Sequence, residues 1–185
     1  MPRQIERQAA SERLLIAGLA ATVVIFFLLR VSLDSWRLAI MSFLSLPVAL
    51  VGGVLAALIA SNGILSLGSF VGFLTILGVA ARNGIMLISH YQHLEEFEGE
   101  TFGPHLILRG ARERIAPIMM TALTAGLALV PLVLAGDVPG HEIEHPMAIV
   151  ILGGLVTSTL VNLFIVPVLY LRFGRNSVSR SAAST

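Results

Sequence analysis

Five long apolar runs, separated by short polar links, make up most of this chain. Each run is close to or above the ~20 residues that cross the hydrocarbon core of a bilayer as an α-helix. The runs are too long for ordinary strands, and they lack the alternating polarity of membrane β-strands. The pattern therefore predicts an all-α, polytopic membrane protein with five transmembrane helices: Leu14–Val31, Leu38–Ala60, Leu65–His90, Pro117–Ala135 and Pro146–Leu171.

The longest link, residues 91–116, predicts a further short helix. An acidic run over residues 95–100 is typical of a solvated helix end, and Pro104 then suits the first turn of a new helix. One face of that helix is apolar: Leu108, Ala111 and Ile115. Three arginines lie beside this face: Arg109, Arg112 and Arg114. This arrangement is typical of an amphipathic helix lying in the plane of the membrane interface.

Small residues four positions apart recur within the runs and predict close helix packing. The pairs are Gly53 with Ala57, Gly68 with Gly72, Ala122 with Gly126 and Gly154 with Ser158. Such spacings occur in many transmembrane bundles, so we interpret them as packing contacts and not as a functional signal.

The composition supports a membrane protein and excludes several classes of site. Of 185 residues, 56% are hydrophobic and 12% are charged, whereas soluble domains carry about 25% charged residues. The absence of cysteine excludes disulfides and thiolate metal sites. All twelve basic residues are arginines at the ends of the runs, apart from one inside a run. They form no single basic patch, so nucleic acid is not an expected partner.

The arginines also predict the orientation. With the N-terminus outside, eight arginines lie on the inner side, and only Arg3, Arg7 and Arg13 lie outside. Those three would resist export on a free tail but not behind a large translocated domain, so the pattern suggests the end of a longer protein. The predicted organisation is an outer N-terminal segment, a membrane domain that includes the inner loop 91–116, and an inner tail. Their bounds are 1–13, 14–171 and 172–185.

Arg82 is the one charged residue in the interior of a run. A charge inside a bilayer costs between ~3 and more than ~10 kcal/mol, so we expect Arg82 to face protein or a wet cavity. The alternative is that it lies near a helix end and reaches the lipid headgroups. Arg82 and the adjacent Asn83 need acceptors, and a carboxylate is the natural partner of an arginine. None of the five runs contains Asp or Glu, so that partner must come from elsewhere.

The segment His141-Glu142-Ile143-Glu144-His145 matches the H-E-x-x-H pattern of zinc proteases. That pattern needs a helix, on which both histidines share one face. Here Pro146 follows immediately and disfavours helical geometry at His145, and Asp137 is the only nearby third ligand. A solvent-facing entry to the last helix is the favoured interpretation. A weak cation contact and, as a minor alternative, a membrane zinc protease remain open.

Three segments of the chain resemble a known family when they are taken together. The segment GVAARNGIMLI, residues 78–88, resembles the tenth transmembrane helix of RND (resistance–nodulation–cell division) efflux permeases. The segment RIAPIMMTALT, residues 114–124, resembles the eleventh. The segment EIEHPMAIVILGG, residues 142–154, with VPVLY at 166–170, resembles the twelfth. The resemblance covers the chain as helices eight to twelve, and it is closest to the heavy-metal efflux branch.

The resemblance implies a proton-driven exporter of cations or drugs, without enzyme activity or cofactor, in the bacterial inner membrane. It would have a periplasmic N-terminus and a cytoplasmic C-terminus. The family implies a homotrimer that joins a periplasmic adaptor and an outer-membrane channel. In the family, a basic residue of helix ten pairs with acidic residues of helix four. Arg82 matches that basic position, with Asn83 beside it, and Arg114 and Thr121 match residues that border the relay.

The sequence also departs from the family pattern. The family's helix four, large periplasmic domains and substrate pocket have no counterpart in this sequence, so these residues would supply half of a relay and need the remainder of a permease. Metal-exporting members can carry an acidic residue where Arg82 lies and a lysine where Ile118 lies, so a metal ion and an organic compound both remain open as substrate. A short stand-alone protein that binds or regulates a permease, or a non-functional remnant, is the alternative from another class.

Overall fold

A computed structural model describes residues 2–33, 35–60, 65–136 and 139–174, with side chains in the first range at Arg13 and from Ile16 onward. These residues are helical almost throughout, and five helices are long and apolar enough to cross a membrane. The predicted all-α, polytopic class is confirmed. The helices are α1 (Pro2–Leu33), α2 (Trp36–Ala60), α3 (Leu67–Glu96), α4 (Pro104–Leu134), α5 (Glu144–Leu160) and α6 (Val166–Phe173). A π-helical turn, Val161–Ile165, joins α5 to α6, so these three elements form the fifth span.

The fifth span is the central one. Half of its most apolar stretch is buried inside the bundle, against 6% for α4, and α5 packs on α2, α3 and α4. Glycines make this packing close: a Cβ on Gly72 would lie 2.8 Å from Val150 Cβ, and one on Gly154 would lie 2.7 Å from Ile76 Cγ1. The close packing expected at these two glycines is thus present. At Gly126 the nearest contact is an ordinary 3.7 Å.

The helix that carries Arg82, α3, has defined ends. The Ser66 hydroxyl oxygen accepts a hydrogen bond from the backbone N–H of Ser69 at 3.2 Å and caps the first turn. At the other end the N–H of Phe97 donates to the carbonyl of His93 at 3.0 Å. The chain then turns at Gly99, whose φ of 66° lies in the left-handed region. A turn over residues 97–103 brings α4 back alongside α3.

The prediction of a separate in-plane helix over the loop 91–116 is wrong. Residues from Pro104 to Leu134 form one continuous helix of 31 residues, with Pro117 in its interior. The face predicted to lie in lipid is exposed on the surface of the protein: Leu108 is 59% exposed and Ile115 is 43% exposed. The opposite face is buried instead: Leu106, Ile107 and Gly110.

Packing against α3 explains the difference. A Cβ on Gly110 would lie 2.6 Å from the ring of Tyr91 and 3.1 Å from Leu94. The first turns of α4 therefore bury the face that carries Gly110 against α3 and stay aligned with the rest of the helix. The Thr121 hydroxyl donates to the carbonyls of Pro117 (3.1 Å) and Ile118 (2.9 Å) in the turn after the proline.

The predicted end segments differ from the observed helices in extent. The segment 1–13 is continuous with α1 from Pro2 onward, so it is not set apart from the first span by a break. The inner tail is predicted from residue 172, but α6 ends at Phe173. Residues 175–185 lie outside the described residues.

Candidate functional site

A cleft of about 470 Å³ opens between α3 and α4, and α5 forms its floor. All four residues predicted for the proton relay line this cleft: Arg82, Asn83, Arg114 and Thr121. Most of the other lining residues are apolar, and they include Val79, Met86, Pro117, Ile118, Ile151 and Leu155. The structure thus places the four together, although Asn83 and Arg114 are 31 positions apart in the sequence.

Helical spacing explains how they meet. On α3, Thr75, Val79, Asn83 and Met86 follow at intervals of three or four, so they share one stripe. On α4, Arg114, Ile118, Thr121 and Ala125 do the same. Because the two helices run side by side in opposite directions, the two stripes face one space.

The two arginines give the cleft its electrostatic character. Arg82 is exposed and Arg114 is half-buried. Within the described part of the chain, no ion pair joins either guanidinium to a carboxylate, and no Asp or Glu is among the cleft's lining residues. Two fixed positive charges in an apolar wall attract an anionic group strongly.

Beyond the cleft, toward the 97–103 turn, lies a charged network that the sequence did not predict. Arg109 donates to Glu98, to Glu100 Oε1 at 2.7 Å and to Glu113 Oε1 at 3.2 Å. His105 lies 3.4 Å from Glu100. The pKa of Glu100 lies below its ordinary value of 4.5, chiefly because Arg109 donates a hydrogen bond to the carboxylate. The hydrogen bond and the charge of His105 lower this pKa further. The acidic run expected to be a solvated helix end therefore binds an arginine of the next helix.

His90 and Glu113 form a second link between the same two helices. The Nε2 of His90 lies 2.7 Å from Glu113 Oε2, and the imidazole side chain is 14% exposed. Sequence reasoning missed this pair because its members are 23 positions apart and no local pattern relates them.

A buried aromatic pair closes this end of the bundle. The rings of Tyr91 and Tyr170 lie 4.9 Å apart, and both residues are fully buried. Tyr170 donates its hydroxyl to Glu95 Oε1 at 3.3 Å. This cluster packs the last helix, α6, against α3.

The H-E-x-x-H segment does not lie within a helix in the way a zinc site requires. Helix α5 begins at Glu144, so His141 precedes it. The Nδ1 of His141 is 2.8 Å from Glu144 Oε2, a carboxylate that the zinc pattern does not use. Among the described residues no group of three or more His, Asp or Glu side chains is arranged to hold a metal. Asp137, the third candidate, lies outside the described residues.

Comparison with known sequences identifies relatives of the whole membrane region. The AcrB/AcrD/AcrF family matches residues 3–174. The cobalt-zinc-cadmium resistance protein CzcA of Cupriavidus metallidurans is 37% identical over 164 residues, which are 88% of this chain and 15% of CzcA. The multidrug resistance protein MdtC of Salmonella paratyphi A is 33% identical over 172 residues, 93% of this chain and 16% of MdtC.

A solved structure agrees with the sequence matches. The crystal structure of a heavy metal efflux pump matches with a TM-score of 0.77 and 32% identity, and the match covers 92% of this chain and 16% of the pump. This chain therefore spans about a sixth of the length of its relatives. Both the sequence match and the helix arrangement agree with the resemblance to RND permeases, and the chain belongs to the AcrB/AcrD/AcrF family of RND efflux permeases.

Proposed function

We propose that the α3–α4 cleft is one half of the proton-translocation site of an RND exporter. In this proposal Arg82 and Arg114 are the fixed positive charges, and Asn83 and Thr121 orient the partner group. The observation that supports it best is the convergence of both arginines on one largely apolar cleft that offers them no carboxylate of its own. A carboxylate contributed by the remainder of a permease would complete the site.

The chemistry of arginine defines the role of these residues. Arginine scarcely loses its proton at any physiological pH, so Arg82 does not carry protons itself. It acts as a counter-ion that favours the charged form of a facing carboxylate. When that carboxylate takes up a proton its attraction to Arg82 falls, and this change can drive α3 and the partner helix apart.

The proposed setting follows the family. The chain lies in the bacterial inner membrane with its N-terminus periplasmic and its C-terminus cytoplasmic, which places the 97–103 turn in the cytoplasm. The complete exporter would be a homotrimer that joins a periplasmic adaptor and an outer-membrane channel. Its cargo is a cation or an organic compound, since relatives include both a cobalt-zinc-cadmium and a multidrug resistance protein.

The test compares three arginine substitutions introduced at the gene's own locus. Arg82→Gln and Arg114→Gln each remove a charge from the cleft, whereas Arg112→Gln removes an exposed charge of the same helix as Arg114 that does not line it. Cellular accumulation of Co²⁺, Zn²⁺, Cd²⁺ and ethidium is measured for each. We expect export to fall to background with the first two and to stay normal with Arg112→Gln.

Normal export in Arg82→Gln would overturn the proposal and favour a stand-alone regulatory protein. An immunoblot with an antibody to the peptide 172–185 then shows whether the partner carboxylate belongs to the same polypeptide or to a separate subunit. A band far heavier than this chain means that it comes from the same polypeptide. A band at the mass of this chain means that it comes from a separate subunit.

A further inference from the structure

The His90–Glu113 pair lies where the α3–α4 cleft ends. Met86 and Pro117 line the cleft. His90 is four residues beyond Met86 on α3, and Glu113 is four residues before Pro117 on α4. Residues four apart on a helix are stacked neighbours, about 6 Å apart along the axis. The pair is therefore the next layer on both walls, between the cleft and the 97–103 turn.

This layer consists of a histidine, His90, and a carboxylate, Glu113. The cleft itself offers arginines, an amide and hydroxyls, none of which exchanges protons near neutral pH. Histidine is the side chain whose charge ordinarily changes between pH 5 and 8. A proton that leaves the cleft toward the turn therefore meets His90 as the first group able to hold it.

Glu113 has a second partner, which makes the contact reversible. Arg109 Nε donates to Glu113 Oε1 at 3.2 Å, while His90 binds Oε2 of the same carboxylate at 2.7 Å. A protonated His90 and Glu113 form an ion pair that joins α3 to α4. After His90 loses its proton, the carboxylate is still held by Arg109 on its own helix. The contact between α3 and α4 then weakens, while Arg109 still balances the negative charge of Glu113.

Other charged groups at this end do not compete for His90. Arg109 is also bound to Glu98 and Glu100, and Arg112 and Arg114 flank Glu113 in sequence. The other helices that pack on α3 carry further groups here: Arg30, Arg37, Arg172 and Tyr170. Of the groups near this layer, Arg109 is bonded to Glu113, and within the described residues no bond joins Arg37, Arg112, Arg114, Arg172 or Tyr170 to His90 or Glu113.

From this geometry we infer that His90 and Glu113 form a proton-dependent gate at the turn end of the cleft, closed when His90 is protonated and opened when that proton passes to water. The step moves one proton from the imidazolium to solvent and leaves a neutral ring. The inference rests on the proposed function for the source of the proton, and it assigns the exit of the relay to a residue pair outside the cleft.

Cysteine labelling tests the gate without requiring transport. These 185 residues contain no cysteine, so Met86→Cys gives them one thiol, which lies inside the cleft, one turn from the gate. Inside-out vesicles from cells that make the protein are treated with a membrane-impermeant methanethiosulfonate. Phe97→Cys, at a position 75% exposed beyond the gate, corrects for the effect of pH on thiol reactivity.

We expect the corrected labelling rate of Met86→Cys to rise between about pH 5.5 and about pH 8, the range in which histidine changes charge. The rise should be about fivefold, the upper effect of a partly exposed ion pair. Adding His90→Gln should leave the rate independent of pH, and so should Glu113→Gln, which serves as the second variant if the first fails to fold. His93→Gln is the matched control, since His93 is an exposed histidine of the same helix whose ring stacks on Phe97.

An unchanged pH dependence in folded His90→Gln or Glu113→Gln overturns the gate. The result is separable from the proposed function. If Arg82→Gln abolishes export and His90→Gln has no effect on labelling, the relay stands and the gate is rejected. If labelling depends on His90 but occurs only from the opposite face of the membrane, the gate stands and the proposed orientation is wrong.

Discussion

Gly52 of α2 and Gly153 of α5 meet backbone to backbone, with no room for a side chain on either. A Cβ on Gly52 would lie 2.3 Å from the carbonyl oxygen of Gly153, and a Cβ on Gly153 would lie 2.5 Å from that of Gly52. A backbone carbonyl cannot swing aside as the end of a side chain can. This contact therefore fixes the distance between α2 and α5.

Adding one methyl group at this contact should separate the helices. We expect Gly52→Ala to lower the free energy of unfolding by about 1–3 kcal/mol, as overpacking does in close-packed interiors. Titration with sodium dodecyl sulfate in mixed micelles measures the loss. Gly78→Ala is the control, because a Cβ there meets nothing within 4 Å. Equal stability of the two variants would contradict the tight contact.

The hydroxyl of Thr157 strengthens the same interface. It donates to the carbonyl of Ala49 on α2 at 2.6 Å, besides contacts of 3.1 and 3.3 Å within its own helix. We expect Thr157→Val to cost about 0.6 kcal/mol of unfolding free energy, the mean for interhelical hydrogen bonds in membranes. Thr75→Val should cost less, since Thr75 donates only to Val71 of its own helix at 2.9 Å. A larger loss in Thr75→Val would argue against the interhelical bond.

Thr121 provides a test of the cleft that keeps both arginines. Thr121 lines the cleft, and its hydroxyl donates to backbone carbonyls of α4. A hydroxyl oxygen that donates in this way can still accept a hydrogen bond. If it orients the partner group, Thr121→Val should reduce export roughly fivefold, the effect of about 1 kcal/mol for one neutral hydrogen bond. Thr121→Ser should restore most of it. Thr124→Val is the control, since Thr124 is exposed and does not line the cleft. Export by Thr121→Val, Thr121→Ser and Thr124→Val is measured with the cation and dye accumulation assay.

The Glu100 network should respond to acid in a defined direction. Because Arg109 lowers the pKa of Glu100 in the folded protein, the stabilisation from Glu100 is complete above its ordinary value of 4.5. It is lost as the pH falls below 4.5 through the lowered value. A ¹³C titration of the Glu100 carboxyl should therefore show a midpoint below 4.5 that rises in Arg109→Gln. Arg112→Gln should leave the midpoint unchanged, and a shift there would assign the effect to general surface charge.

The sequence by itself determined the number of membrane helices and their approximate positions along the chain. Length and apolarity are local properties, and about 20 apolar residues must form a helix in lipid because no water can satisfy the backbone. The five runs therefore became five helices. The grouping of Arg82, Asn83, Arg114 and Thr121 was expected only from the resemblance to RND permeases, and their function as a relay stays a prediction.

Tertiary structure decided the features that depend on helices meeting. Residues 104–116 had the composition of an in-plane helix, yet they continue α4 because Tyr91 and Leu94 bury the face that includes Gly110. Local sequence cannot determine which of the two faces is covered, since that depends on neighbours 16 and 19 residues away from Gly110.

The same reason hid the charged contacts at the end of the cleft. His90 and Glu113 read separately as the end of one run and as part of a charged loop, and only the antiparallel packing of α3 on α4 brings them to 2.7 Å. The acidic residues at 98 and 100 likewise gained a partner in Arg109 through the turn. Hydropathy fixes each helix on its own, whereas pairing between helices depends on side-chain geometry across a distance that no local pattern encodes.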